Sequence, residues 1–420
     1  MQVITCTITR LHEPVNNKEK KYLRRAMRKM ALVAPHGGKL TPVILPKEQR
    51  EDALAKAKTL PVIRMSSRET SDVLMIGMGA FSPLMGFMTK EDYESVVNTK
   101  HLANGLAWPV PITVSVTKEQ AAELKEGMEV ALVDDETDKY VAILTVKDKY
   151  EYDKTKECKE VFFTDDPEHD GVKKVMGQPE INVGGDIITF SEMGYATQYA
   201  GYYAHPHETR ALFESKGWNT VCAFQTRNPL HRSHEFLCKI GMEVCDGLFL
   251  HPIVGKLKPG DIPAEVRFKC YQAHMDNYFN NKNVALKVYP MEMRYAGPSE
   301  AILHAIFRQN FGCSNILIGR DHAGVGSYYS AYQAQEIFDQ FKPGEILCQP
   351  IKVTAAAYCK KCMGMETEKT CPHTGEDRVA ISGTKVRQMF GAGQLPPLEF
   401  GRKEVLEILT EYYQALDKNK

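Results

Sequence analysis

The 420-residue chain has no excess charge of either sign: Lys+Arg and Asp+Glu number 53 each, a formal net charge of +0. That removes any global electrostatic case for nucleic acid, whose binding runs on uncompensated basic side chains. Long apolar runs are missing too. Stretches such as Ile187–Phe190 and Ile316–Ile318 fall far short of the roughly 20 consecutive apolar residues that a membrane helix needs, so no membrane span is expected. The opening Met1–Arg10 is polar and lacks the apolar centre of a secretory leader. There is no internal repeat at solenoid or propeller period. Met75–Met88 (MIGMGAFSPLMGFM) holds Gly77, Gly79 and Gly86, but at neither G-x-G-x-x-G nor G-x-x-x-x-G-K-[ST] spacing, which excludes a Rossmann fingerprint or P-loop there.

What is present is ordinary folded composition, 43% hydrophobic and 25% charged, with length for two or three domains. The 11 cysteines are odd in number, and Cys222, Cys238, Cys245 and Cys270 sit inside apolar patterns. This predicts free thiols in a reducing compartment, hence a cytoplasmic protein. Residues 1–30 carry eight basic side chains against two acidic ones. A solvated extension or frayed helix explains them most simply, with a targeting or anion-binding arm as the alternative.

The chain divides by rhythm. After a basic extension over 1–34, residues 35–197 read as a β-rich domain, with runs at Ala107–Val116, Glu129–Asp134, Tyr140–Val146, Glu160–Phe163 and Asp186–Phe190. Helices are expected around Glu48–Lys58 and Lys90–Val97. From 198 to 354 helices and strands alternate strictly, with strands at Thr220–Phe224, Leu248–Ile253, Val284–Tyr289, Asn315–Ile318 and Glu345–Val353, and a helix at Tyr328–Phe341. That alternation predicts an α/β domain with a parallel sheet, whose chemistry belongs in the loops after Phe224, Ile253 and Ile318. Residues 355–420 form a small C-terminal domain ending in an amphipathic helix, Arg402–Leu416.

Gln225–Glu235 (QTRNPLHRSHE) lies between a strand and a helix. His231 and His234 share one face beside the helix start, where free N–H groups, Arg227 and two imidazoles would meet an anionic phosphate chain. The alternatives are a solvated turn capped by Asn228, or a zinc ion on the two histidines, for which no third ligand is near in sequence. Gly319–Tyr329 (GRDHAGVGSYY) ends another apolar strand: either its glycines admit close backbone approach to a ligand, with Arg320 and His322 as donors and Asp321 accepting from a sugar or base, or the segment is a glycine-rich turn and nothing more. In Ile381–Arg387 (ISGTKVR), Ser382 or Thr384 caps a helix, or Thr384, Lys385 and Arg387 touch an anion.

These three segments, in this order, resemble the signatures of the ATP sulfurylase (sulfate adenylyltransferase) family, of the single-function microbial type. AFSPLMGFM, WPVPITV, RALFESKGW, VGKLKPGDIPAEVR and MRYAGPSEAILHA extend the likeness from about residue 35 to the end. The resemblance implies a PUA-like β-rich domain, a Rossmann-like nucleotidyltransferase α/β domain with a variant T/H-x-G-H motif at His231–His234, and a small third domain. With no P-loop, the adenylylsulfate kinase activity of some relatives is expected to be absent. The implied reaction takes ATP and sulfate to adenylylsulfate and pyrophosphate. Gln225, Arg227 and the Ala323 backbone would hold sulfate. Thr226 and Asn228 would grip the nucleotide phosphates, and His231 and His234 would stabilise the leaving β-phosphate. Gly319, Arg320, Asp321, His322 and Val353 would line the adenosine site. Mg²⁺ would arrive on ATP, since no carboxylate precedes Glu235 in the loop. A homo-oligomer, dimer or higher, is expected. Two rival readings remain: a nucleotidyltransferase acting on another oxyanion or a phosphorylated small molecule, and an RNA-binding module.

YCKKCMGMETEKTCPH supplies Cys359, Cys362, Cys371 and His373, a C-x2-C pair followed by C-x-H. Two thiolates at this spacing reach one ion and Gly364 permits the reversal that closes a tetrahedron, so structural Zn²⁺ or Co²⁺ is expected. Free side chains on a loop, or a redox pair at Cys359 and Cys362, are the alternatives.

Overall fold

The computed structural model describes residues 31–256, 261–379 and 383–418, so the basic extension falls, through residue 30, outside the described residues. The first sheet comprises β1 (Val62–Met65), β2 (Gly86–Phe87), β3 (Ser115–Val116), β4 (Glu129–Asp134), β5 (Tyr140–Glu151) and β6 (Ile181–Thr189). Its order is β1-β4-β5-β6-β2, with β3 also on β6. Only β1 and β4 run parallel. Two expectations need correction. Glu160–Phe163 is not a strand but the end of the helix Lys154–Phe162. Cys158, Val161 and Phe162 are buried at helical spacing and Asp153 caps the start, so the helical period wins over a β-like tetrad. Of Ala107–Val116 only Ser115–Val116 joins a ladder, because Pro109 and Pro111 offer no N–H.

The second sheet is all parallel: β7 (Val221–Thr226), β8 (Gly247–Pro252), β9 (Val284–Leu286), β10 (Asn315–Ile318) and β11 (Gln349–Lys352), in the order β11-β10-β7-β8-β9. Runs such as Leu248–Leu250 and Ile316–Ile318 are buried, as helices on both faces require. The chain leaves β7 toward β8 and β9, then returns to β10 on the opposite side. The loops after β7 and β10 therefore part at a switch point and leave a crevice beyond the strand ends. The helix expected over Tyr328–Phe341 shrinks to Gln333–Glu336 followed by a 3₁₀ turn, Ile337–Gln340.

The helix Pro298–Phe311 is buried along its whole length, because it lies between the two domains. Asn310 shows how: its side-chain nitrogen donates to the Ala80 and Ser82 carbonyls, both at 2.9 Å, and its oxygen accepts from the His36 N–H at 2.8 Å. A small antiparallel sheet of β12 (Ala356–Cys359), β13 (Gly364–Thr367) and β14 (Arg378–Val379) follows, in the order β13-β12-β14. It lies against the helix Arg232–Val244, with Arg232 5.5 Å from the centre of the Tyr358 ring. Two helices, Gly383–Gly391 and Lys403–Lys418, complete the chain.

Candidate active site and metal centre

β7 runs two residues further than its apolar pattern, so Gln225 and Thr226 are still paired with His251 and Pro252 on β8. Thr226 then closes a tight turn, its Oγ1 donating to the Asn228 carbonyl at 2.7 Å and accepting the Asn228 N–H at 3.0 Å. Tyr271 donates to the same carbonyl at 3.0 Å. His231 occupies the N-cap of the helix Arg232–Val244. One turn on, His234 stacks on it with ring centres 3.6 Å apart, and the Nδ1 atom of each is buried without a partner among the described residues. Burial pushes His231 down to about 4, with His274 adding to it, and takes His234 well below the usual imidazole range. The pair therefore stands neutral at pH 7, so each ring has one N–H to donate.

Residues C-terminal to the small antiparallel sheet brace this helix start. The Phe400 carbonyl accepts the Arg232 N–H at 2.9 Å, and Arg402 grips Glu235 through two bonds of 2.8 Å. A cavity of about 260 Å³ lies between the histidines and Val386, Phe390, Phe400 and Leu409. Among the described residues, the one group of three or more His, Cys, Asp or Glu side chains close enough to hold an ion lies elsewhere.

At the second loop, Asp321 and Ala323 adopt φ of 54° and 56°, a left-handed backbone that is uncommon outside glycine. The Ala323 carbonyl accepts the Gly297 N–H at 3.1 Å. His322 meets His304 at 3.0 Å, and burial drives it down to about 3. Arg320 is exposed and pairs with Asp321 at 3.1 Å. Val353 lies at the end of β11 beside Ile318, the carbonyls of both accepting from Gln335 at 2.8 Å.

The two loops meet through a third segment that sequence reasoning did not single out as a site. Met293 lies 3.3 Å from the Gln225 amide nitrogen, Tyr295 accepts from Arg227 Nη1 at 2.7 Å, and Gly297 reaches Ala323. The Gly297-Pro298 helix start in MRYAGPSEA was the available signal. In the ISGTKVR segment, Ser382 and the side chains of Thr384, Lys385 and Arg387 lie outside the described residues.

The ligand atoms of Cys359, Cys362, Cys371 and His373 all lie within 4.8 Å of one another. β12 and β13 form the hairpin, with Cys359 paired to Gly364. His373 Nδ1 stands 3.5, 3.4 and 3.4 Å from the three sulfurs. Zn–S bonds of about 2.3 Å and a Zn–N bond of about 2.0–2.1 Å in a tetrahedron produce S···N edges of about 3.5 Å, so the donor set and its spacing fit the ion.

Comparison with known proteins sets this geometry in a lineage. The family described as ATP-sulfurylase matches residues 200–412, and that described as PUA-like domain matches 33–192. The sulfate adenylyltransferase of Desulforamulus reducens is 79% identical over 389 residues, covering 93% of this chain and all of that one. That of Pelodictyon phaeoclathratiforme is 51% identical, covering 92% and 96%. A solved structure described as a hexameric APS kinase from Thiobacillus denitrificans superposes with TM-score 0.69 at 26% identity, covering 91% of this chain and 68% of that one. The fold class is thus a PUA-like β-rich domain joined to an ATP-sulfurylase α/β domain, and the chain, a nucleotidyltransferase enzyme, belongs to the ATP-sulfurylase family.

Proposed function

We propose that the crevice beyond β7 and β10 transfers the adenylyl group of ATP to sulfate, reversibly giving adenylylsulfate and pyrophosphate. The observation that carries this is the Gln225–His234 loop: Arg227 and two neutral imidazoles share one strand end and one helix start, in a chain 79% identical to a sulfate adenylyltransferase. Sulfate is a dianion at pH 7, so no general base is needed. The work is to bring two anions together and to stabilise charge moving onto the leaving group. Arg227 would hold sulfate through its planar fork, with the Gln225 amide and the Ala323 N–H as neutral donors. A sulfate oxygen forms its bond to the α-phosphorus as the bond to the bridging oxygen of pyrophosphate breaks in line. His231 and His234 would donate to the β-phosphate as it takes that charge, and their neutrality in the ligand-free site lets an arriving anion draw a proton to them. Thr226 and Asn228 would hold the nucleotide phosphates. Gly319, Arg320, Asp321, His322 and Val353 would hold adenosine. Mg²⁺ would neutralise ATP phosphate charge and come with the nucleotide, since Glu235 is already taken by Arg402 and Lys239.

Sulfate-dependent release of pyrophosphate from Mg-ATP tests this. Release driven equally by another oxyanion, or none with sulfate, overturns it. The Cys359, Cys362, Cys371 and His373 set would carry a structural Zn²⁺ or Co²⁺, closed to substrate by four protein ligands. One equivalent of metal per chain by elemental analysis is the expected result. The absence of a disulfide among the ten described cysteines favours a cytoplasmic protein, and no described helix is long and apolar enough to cross a membrane. The hexameric relative favours a homo-oligomer.

A further inference from the structure

Residues 292–295 are buried and point alternately to two sides. Met293 and Tyr295 face Gln225 and Arg227. Glu292 and Arg294 face the N-terminal domain: Glu292 accepts from Ser67 at 2.6 Å and pairs with Lys174, and Arg294 pairs with Asp72 at 2.5 Å. Between them Tyr295 sits at φ 59°, a conformation that a bulky side chain holds only when its surroundings impose it.

Those surroundings can be traced. Glu300 accepts the N–H groups on either side, Arg294 at 2.9 Å and Ala296 at 3.1 Å. The Tyr295 carbonyl accepts from the Tyr329 hydroxyl at 3.0 Å, and that hydroxyl meets His169 Nε2 at 3.0 Å. The direction of this chain is set at its far end. His169 Nδ1 accepts the N–H groups of Gly171 and Val172 at 3.0 and 3.3 Å, at the start of the helix Asp170–Met176. An imidazole that accepts at Nδ1 carries its proton on Nε2. His169 therefore donates to Tyr329, and Tyr329 donates to Tyr295. His169 belongs to the N-terminal domain and is fully buried.

We propose that Tyr295 is a positioning residue for Arg227, set by the N-terminal domain through the chain from His169 to Tyr329 to the Tyr295 carbonyl. Tyr295 takes one arm of the guanidinium at 2.7 Å and packs its ring 5.3 Å beneath it. This fixes the plane of the fork, so that the remaining N–H groups meet an oxyanion without first surrendering the rotamer freedom of a long side chain. The inference rests on Arg227 being the sulfate ligand. It assigns to the β-rich domain an indirect part in sulfate affinity, although none of the residues proposed to hold the substrates lies in that domain.

Steady-state kinetics of the full-length enzyme test it, with the KM for sulfate and for ATP measured separately. Tyr295→Phe, which keeps the ring and removes the hydroxyl, should raise the sulfate KM about fivefold and leave the ATP KM within about twofold, the size expected for one lost hydrogen bond to a charged group. His169→Asn keeps a helix-capping oxygen and removes the Nε2 donor, and should move the sulfate KM the same way by about threefold. Tyr329→Phe provides the same test if His169→Asn does not fold. In an Arg227→Lys background Tyr295→Phe should add little, because the pair acts as one unit. A sulfate KM unmoved by Tyr295→Phe, or both KM values raised alike, overturns the positioning role. An unchanged sulfate KM in Arg227→Lys alone overturns instead the reading on which it rests.

Discussion

Around the candidate metal, four ligand atoms come from residues 359–373 of a single hairpin and the turn after it. Around Arg227, the side chains that meet or brace it come from residues 169, 295 and 329, from two domains. A locally built site closes whenever its hairpin forms and asks little of the rest of the molecule. The dispersed site exists only once the domain interface is packed. Damage to the first should therefore be confined to stability, whereas damage to the second should reach the chemistry from far away.

The sharpest test lies at the histidine pair. His231→Ala or His234→Ala should lower kcat by about 100-fold, as expected for removing one donor to a developing charge, with a much smaller rise in the ATP KM. A rise in KM with kcat preserved would move these residues from the transition state to ground-state binding. Next comes Arg227→Lys, which retains charge but not the bidentate fork and should cost at least about tenfold in kcat/KM for sulfate. Wild-type rates in that variant would remove Arg227 from the site.

The metal hairpin should behave in the opposite way. Cys362→Ser should lower bound metal and Tm together, while kcat measured well below Tm stays within about twofold of wild type. Because β12 and β13 lie against the helix that His231 caps, a fall in kcat equal to that of the histidine variants would show that the hairpin is not separable from the chemistry.

The smallest effect is in pH. Burial depresses His231 to about 4 in the folded protein, against about 6.5 for an unfolded histidine. The unfolded chain thus binds the proton first, so this contribution to stability is complete above about pH 6.5 and drains away as pH falls toward 4. Tm in the absence of substrates should decline over that window, and His231→Gln should flatten the decline. An unchanged slope would mean that His231 takes up its proton alike in the folded and the unfolded chain.

Much of this architecture could be read in the chain. β4 and β10 fall on Glu129–Asp134 and Asn315–Ile318 as the apolar patterns indicate, because a buried strand writes its period into adjacent residues. The helix Ser67–Gly77 was missed although Ser66 and Glu69 form a capping box at its start, a signal carried by polar spacing rather than by apolar period. The strand expected at Glu160–Phe163 failed because four apolar-rich residues fit either period until packing chooses.

The division between sequence and fold follows from distance along the chain. Loops at strand ends, a C-x2-C pair and a helix start are local, set by backbone chemistry and side-chain period, and so the sequence alone determined where the candidate anion loops and the candidate metal ligands lie. The meeting of Tyr295 with Arg227, the burial that leaves His231 and His234 neutral, and the reach of His169 into the site join residues tens to more than a hundred positions apart. No local pattern encodes such contacts, because they arise when two domains share one core and an irregular segment, residues 292–295, is clamped between them, and only the tertiary structure decided them.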